Sequence, residues 1–168
     1  MIVREAAAED IEAIREVAKR SWAVDYPDIL TRETVEEGVD DWYAVEQLEA
    51  ELTHARTQLF VAERDEVVVG FAHASWGGEE GYIMRLYVHP DHRWEGVGQA
   101  LLVRTCRALS EVGVERVSAM VLTENDPGRA FYERFGFEQA DESETTIGGE
   151  TYRENRYVLT GEVTPERR

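Results

Sequence analysis

The amino-acid sequence predicts a single mixed α/β domain. Three observations carry this. The chain has 168 residues, 43% of them hydrophobic, a length that buries about 70% of its unfolded surface around one core. Its apolar residues alternate at period two in some segments and recur at helical spacing in others. The two patterns succeed one another as β-α-α-β-β-β-α-β-α-β-β, with helices following the central strands and no internal repeat.

Each element has a local reason. Ile2–Ala6 alternates and reads as a strand. In "AEDIEAIREVAKRSW", residues Ile11, Ile14, Val17, Ala18 and Trp22 share one helical face, with acids in the first turn. Pro27 breaks that helix, and Thr31 opens a second, acidic helical stretch that runs to about Leu52 around Gly38. Gln58–Arg64 is a strand, Asp65-Glu66 a tight turn, and Val67–Trp76 the returning strand. Gly77-Gly78 form a loop before a strand over Tyr82–His89 that Pro90 ends. A helix is expected from about Val97 to Val112, then a strand over Val114–Leu122. A short helix from Pro127 to Phe135 is closed by Gly136. "TTIGGETYRENRYVL" holds two strands turned at Gly148-Gly149. The domain is expected to span residues 1–160, with residues 161–168 a frayed tail.

Charge narrows the partners. Asp and Glu number 35 against 18 Lys and Arg, a net charge of −17. Such a surface repels nucleic acid and anionic membrane, so neither is an expected partner. Of the cations only Lys19 is a lysine, and the acids are spread along the whole chain. Adaptation to high salt explains that pattern better than an acidic site built for cationic substrates. No apolar run reaches the ~20 residues of a membrane span. The acidic "MIVREAAAED" start is not a secretion signal. The lone Cys106 lies on a helical pattern and reads as a core residue, which fits a reducing cytoplasm.

The chemistry-bearing stretch is "VHPDHRWEGVGQALL". A strand ends at Val88, a turn carries Arg93, and two glycines, Gly96 and Gly98, stand before a good helix. Each glycine inside a helix costs roughly 1 kcal/mol relative to alanine. Backbone N–H groups at a helix start attract an anion, and glycine lets one come close. The stretch lacks the Lys-Ser/Thr pair of a P-loop and the third glycine of a dinucleotide fingerprint. Taken alone, a glycine turn before a helix is more often structural than an anion site.

A second constellation points further. Asn125 follows the next strand, Tyr132 comes seven residues later, and Gly136-Phe137 close the helix. With "LYVHP" and "RWEGVG", in this order and spacing, the stretch from Tyr82 to Phe137 resembles the GNAT superfamily of N-acetyltransferases. The resemblance implies a single-domain GNAT fold, a mixed, mostly antiparallel central sheet with helices on both faces, and acetyl-CoA as acetyl donor. It implies that the strand residues Leu86, Tyr87 and Val88 pair with the extended pantetheine arm. The turn residues Arg93, Trp94, Glu95, Gly96, Val97, Gly98 and Gln99 would hold the pyrophosphate, and Asn125 would contact the pantetheine side. Tyr132 would bind near the thioester sulfur and protonate the departing thiolate.

Acetyl transfer needs a neutral amine, a donor for the oxyanion and a proton for the thiolate. A phenol, with pKa near 10, suits the last role. The base is less legible. Glutamates that some relatives carry fall at Met120 and Tyr82 here, so neither carries over. Glu80, two residues before Tyr82, is the candidate, against a reading as a solvated loop carboxylate. Trp22, Tyr26, Trp42 and Tyr43 either form an acceptor-site wall or pack in the core. His73 and His89 are isolated and read as structural, and no spacing suggests a metal. The acceptor is expected to be a small-molecule or peptide amine, with a homodimer left open. The alternatives are a non-catalytic CoA-binding regulatory domain of the same fold and a toxin-type enzyme that acylates aminoacyl-tRNA.

The charge pattern generates a test. Self-repulsion is screened over ~3 Å at 1 M salt instead of ~10 Å at 0.1 M. The thermal midpoint is therefore expected to climb from about 0.1 M to about 3 M KCl. A flat or falling curve would return the acids to a substrate-directed role.

Overall fold

The computed structural model describes residues 1–25, 44–147 and 149–160. Seven strands form one sheet in the order β1-β2-β3-β4-β5-β7-β6. They are β1 (Ile2–Glu5), β2 (Thr57–Arg64), β3 (Val67–Gly77), β4 (Glu80–Val88), β5 (Arg116–Leu122), β6 (Glu138–Ile147) and β7 (Glu150–Leu159). Four α-helices are described: α1 (Ile11–Asp25), α2 (Val45–Thr53), α3 (Val97–Glu111) and α4 (Asp126–Phe135). Every strand pair is antiparallel except β4 with β5. That parallel pair is joined through α3, the crossover such a connection demands.

The helices cover both faces, and strand alternation decides which side chain meets which helix. Leu59, Val61 and Phe71 pack with Ile14, Val17 and Trp22 of α1 and Leu48 of α2. Their neighbours Phe60, Ala62 and Ala72 point the other way, onto Val97, Leu101 and Ala108 of α3. The α4 residues Tyr132 and Phe135 join Leu102, Cys106 and Leu109 of α3 on that second face. The apolar stripe expected on α1 is buried throughout. Its Ile and Val side chains each contribute about 1.5–3 kcal/mol through burial. Cys106 is a core residue, and burial pushes its thiol up to about 12.

Several boundaries differ from expectation for physical reasons. The strand expected from Val114 begins at Arg116, because the N–H of Val114 donates to the Leu109 carbonyl and closes α3 instead. β4 ends at Val88, since His89 accepts the Asp91 N–H at 3.1 Å and caps a 3-10 turn. β6 reaches back to Glu138; most of its side chains are exposed at the sheet edge, so no apolar alternation announces it. Asp65 and Glu66 both take positive φ, 51° and 67°, as the two-residue hairpin turn requires. The Pro27 break, the helical stretch before Ala44, the Gly148 half of the last turn and residues 161–168 lie outside the described residues.

A polar cluster fixes α2 against the sheet. Arg85 of β4 donates to Glu51 of α2 at 2.8 Å, and its guanidinium lies 3.5 Å from Nδ1 of His73 on β3. Glu51 also lies 3.1 Å from His73 Nε2. The carboxylate would favour an imidazolium; burial, first, and the charge of Arg85 oppose it and push His73 down to about 3. Burial dominates. In the neutral ring Nδ1 can accept from the Arg85 guanidinium, while Nε2 lies close to the Glu51 carboxylate without an aligned hydrogen bond.

This sets an acid limit on stability. The folded chain keeps His73 neutral to about 3 while the unfolded chain protonates it near 6.5. Stability present above the unfolded value is therefore lost progressively as pH falls from 6.5 towards 3. His73→Gln removes that proton uptake, so its thermal midpoint is expected to fall less steeply over the same range. Parallel pH curves for the two proteins would show that His73 does not govern the acid limit.

Candidate functional site

The site begins where strand pairing stops. β4 and β5 are paired only from Glu80/Arg116 to Ile83/Ala119. On the other side of β4, His73 pairs with Arg85 and Ala74 with Ile83, so Met84 is an extra residue, a β-bulge. Beyond it β4 stays with β3, while β5 follows β7 as far as the Leu122/Glu154 pair. A cleft of about 1220 Å³ opens between the diverging strands. This exceeds the ~300–1,000 Å³ of most small-molecule sites and leaves room for a long ligand beside a second one.

One wall of the cleft is Leu86, Tyr87 and Val88 of β4. The Tyr87 ring is held 5.9 Å from Phe71 and 6.4 Å from Trp22, centroid to centroid. The turn residues Arg93, Trp94, Gly96, Val97, Gly98 and Gln99 line the mouth. The structure thus brings most of the expected turn to one place, at the N-terminus of α3, where free N–H groups and the helix dipole favour an anion. Gly96 caps that helix at φ +83°, with open space where a Cβ would stand. Its glycine serves the left-handed conformation. Trp94 takes φ +65° with its indole 90% exposed, a strained backbone for a bulky residue at the cleft edge.

Two turn side chains point elsewhere. The Glu95 carboxylate turns away to Arg64, 2.9 Å, and His92, 3.5 Å. The Arg93 guanidinium reaches back to the Val88 carbonyl at 3.3 and 3.4 Å, where Ser21 of α1 also donates at 2.9 Å. Arg93 therefore ties the turn to the strand end. Gly98 also has a reason within the protein. A Cβ there would lie 3.3 Å from the Phe131 ring and 3.6 Å from Val88. Close packing of α3 on α4 therefore gives the bare backbone a reason that does not involve a phosphate.

Opposite lie Asn125 and Tyr132 of the β5–α4 segment, both in the cleft wall. Asn125 caps α4, its Oδ1 accepting the Gly128 N–H at 3.1 Å. Tyr132 is 7% exposed, with Phe131 and Phe137 each 5.2 Å away at steep angles. Burial, above all, raises its pKa, so the phenol stays protonated at neutral pH. It makes no side-chain hydrogen bond to any described residue.

Glu80 is placed differently from expectation. It is bonded to Arg116 and, at 3.2 Å, to the Tyr82 hydroxyl, and it does not line the cleft. The Arg116 hydrogen bond, first, then Tyr82, hold its carboxyl below the usual range, the wrong direction for a base. The correction has a register cause: Glu80 and Arg116 are direct partners at the far, closed end of the β4/β5 pairing. Trp22 is a core residue that also borders the cleft floor, while Tyr26, Trp42 and Tyr43 lie outside the described residues. Among the lining residues not anticipated are Met84, Ser118, Met120, Glu154 and Arg156. "TYRENRYV" does alternate, which puts Glu154 and Arg156 on one face. Only the sheet order reveals that this face meets the cleft.

A splayed strand pair, a glycine-bearing helix start between the strands and a buried tyrosine across from them define an acyl-CoA transferase site. The chain belongs to the acetyltransferase (GNAT) family, whose model matches residues 11–137. Spermidine N(1)-acetyltransferase of Thermoplasma acidophilum is 26% identical over 159 residues, 92% of this chain and 96% of its own length. The crystal structure of PaiA N-acetyltransferase from Thermoplasma acidophilum, in complex with coenzyme A, superposes with a TM-score of 0.82 at 25% identity, over 92% of this chain and 96% of that one. The ribosomal-protein-S18-alanine N-acetyltransferase of Escherichia coli shares the fold, with a TM-score of 0.72 at 19% identity over 95% and 92%. The chain is an acetyl-CoA-dependent N-acetyltransferase. The width of the cleft and the open helix start fit that donor.

The two reasons for Gly98 can be separated. Gly98→Ala is expected to lower the thermal midpoint, because its Cβ crowds Phe131, and Phe131→Leu in the same chain to restore it. If the donor's phosphate also needs the bare backbone, the restored double variant still binds acetyl-CoA about tenfold or more weakly by calorimetry. Wild-type affinity in that variant would leave packing as the sole reason for Gly98.

Proposed function

We propose that the enzyme transfers acetyl from acetyl-CoA to a primary amine by direct attack, without an acetylated protein intermediate. The observation that carries this is Tyr132, a protonated phenol in the cleft wall with no competing side-chain hydrogen bond among the described residues. Leu86, Tyr87 and Val88 hold the pantetheine arm as an added strand along the edge β5 has left. The N–H groups of the Arg93–Gln99 turn hold the pyrophosphate. A backbone N–H of the Leu86–Val88 segment stabilises the oxyanion, and Tyr132 gives its proton to the thiolate. Fixing donor and amine in one cleft contributes most of the remaining rate, up to about 7–11 kcal/mol. The spermidine N(1)-acetyltransferase relative makes a small polyamine the first acceptor to assay. The buried, unpaired Cys106 agrees with an enzyme of the reducing cytoplasm.

Tyr132→Phe removes one oxygen and keeps the ring contacts. An interaction made chiefly in the transition state lowers kcat and kcat/KM together. A fall of roughly 10- to 1,000-fold is expected with an amine that the wild type acetylates. The Kd for acetyl-CoA should change by less than about threefold, since one neutral hydrogen bond contributes only ~1 kcal/mol net. A kcat held within about twofold would make Tyr132 a packing residue. A collapse of Kd with kcat retained would make it a ligand of the donor. Binding of acetyl-CoA without turnover of any amine would favour a regulatory domain.

A further inference from the structure

The acidic surface hides an imbalance inside the cleft. Two of its lining arginines are neutralised from outside it, Arg85 by Glu51 at 2.8 Å and Arg156 by Asp141 at 2.8 Å, and Arg93 is turned onto the Val88 carbonyl at 3.3 Å. Glu80, close by, is matched by Arg116. Glu154 is the exception. It is half-buried on β7, it lines the cleft, and no described cation pairs with it. Its direct cross-strand partners are the buried Leu122 on β5 and Ser143 on β6. Leu122 belongs to the same apolar cluster as Trp22 and Ile147, which also border the cleft. An unneutralised carboxylate in such surroundings wants a cation.

We propose that Glu154 binds the acceptor's ammonium group and accepts its proton as the new bond forms. The inference rests on the acetyl-transfer reading above and names that site's amine subsite. The substrate class is a primary amine that enters as a cation. In the step, one proton passes from the ammonium nitrogen to the Glu154 carboxylate. The nitrogen lone pair forms the C–N bond to the thioester carbonyl carbon, the C–S bond breaks, and the thiolate takes the Tyr132 proton. The surplus proton on the new amide nitrogen returns to Tyr132 through solvent, and Glu154 releases its own to water. The net change is ammonium plus thioester to amide, thiol and one proton. Burial, the larger effect, raises the pKa of Glu154 against the opposing hydrogen bond from Ser143, so the carboxylate is a better base than an exposed one. The ionisable groups on its own face of β7 are Tyr152 and Arg156, with Asp141 of β6 bound to the latter. β5 offers only Leu122 and Met120 there, and α1 the apolar Trp22.

The test compares wild type, Glu154→Gln and Glu154→Asp with acetyl-CoA and either spermidine or ethylamine. At neutral pH, Glu154→Gln should lower kcat/KM for the amine by roughly 10²-fold, and Glu154→Asp by less. The deficit should shrink as pH approaches ~10, where a primary amine is neutral and needs neither anchor nor base. A structural role would lower activity evenly across pH. A deficit under about threefold, or one that does not change with pH, overturns the proposal. If the wild type acetylates neither amine, small primary amines are not its acceptors, and the ¹³C resonance of the Glu154 carboxyl decides whether the ammonium subsite exists. Movement of that signal when ethylammonium is added to the coenzyme A-loaded protein supports the subsite. An unmoved signal overturns it.

Discussion

The divergence of β4 from β5 is the constraint on which the rest of the molecule depends. Two parallel strands that paired along their whole length would leave no room between them. Here the pairing ends at Ile83/Ala119, next to the Met84 bulge. A bulge bends its strand and raises the local twist. Each strand then keeps a partner on its outer side, β3 for β4 and β7 for β5, so the separation opens no gap elsewhere in the sheet. Backbone groups must find partners, and an edge left by its neighbour favours a ligand that is itself extended and amide-bearing.

What surrounds the gap follows from the same geometry. The crossover from β4 to β5 must return through a helix, so α3 begins beside the opening and aims its N-terminus at it. Ser21 and Arg93 converge on the Val88 carbonyl and fix the strand end against α1 and the turn. The β5–α4 connection comes out on the other side, where Asn125 closes the helix start and Tyr132 is clamped between Phe131 and Phe137. The phenol ring is thus held by packing between two aromatic neighbours, the preorganisation that the proposed transition-state contact requires.

The charges obey a second rule. Two of the arginines that line the cleft, Arg85 and Arg156, have each met a carboxylate. Burying a guanidinium unpaired would be costly, and pairing removes that cost without stabilising much in return. The acidic excess thus makes the cleft less cationic than its arginines suggest. Glu154 has no such cationic partner among the described residues.

Much of the site was legible in the sequence because its residues lie close together in the chain. The turn from Arg93 to Gln99 and the Asn125/Tyr132 pair are local, so their order and spacing carry the family resemblance that brought them forward, and the cleft contains nearly all of them. The apolar stripe of α1 and the hairpin turn at Asp65-Glu66 were legible for the same reason: periodicity and turn chemistry are short-range. Glu80 shows the limit. From spacing it could share a face with Tyr82, but strand register put it beside Arg116 at the closed end of the pair. Gly98 shows another: a phosphate or a neighbouring ring can demand the same bare backbone, and only the packed α3–α4 contact reveals Phe131 at 3.3 Å. Glu154 was invisible because β7 inserts between β5 and β6, far from the motifs in sequence. The sequence by itself determined the family, the elements and the glycine-bearing turn proposed to hold the donor, all set by local patterns. The tertiary structure alone decided which face of β7 meets the cleft and which charges there are cancelled, because strand order and register join residues that no local spacing connects.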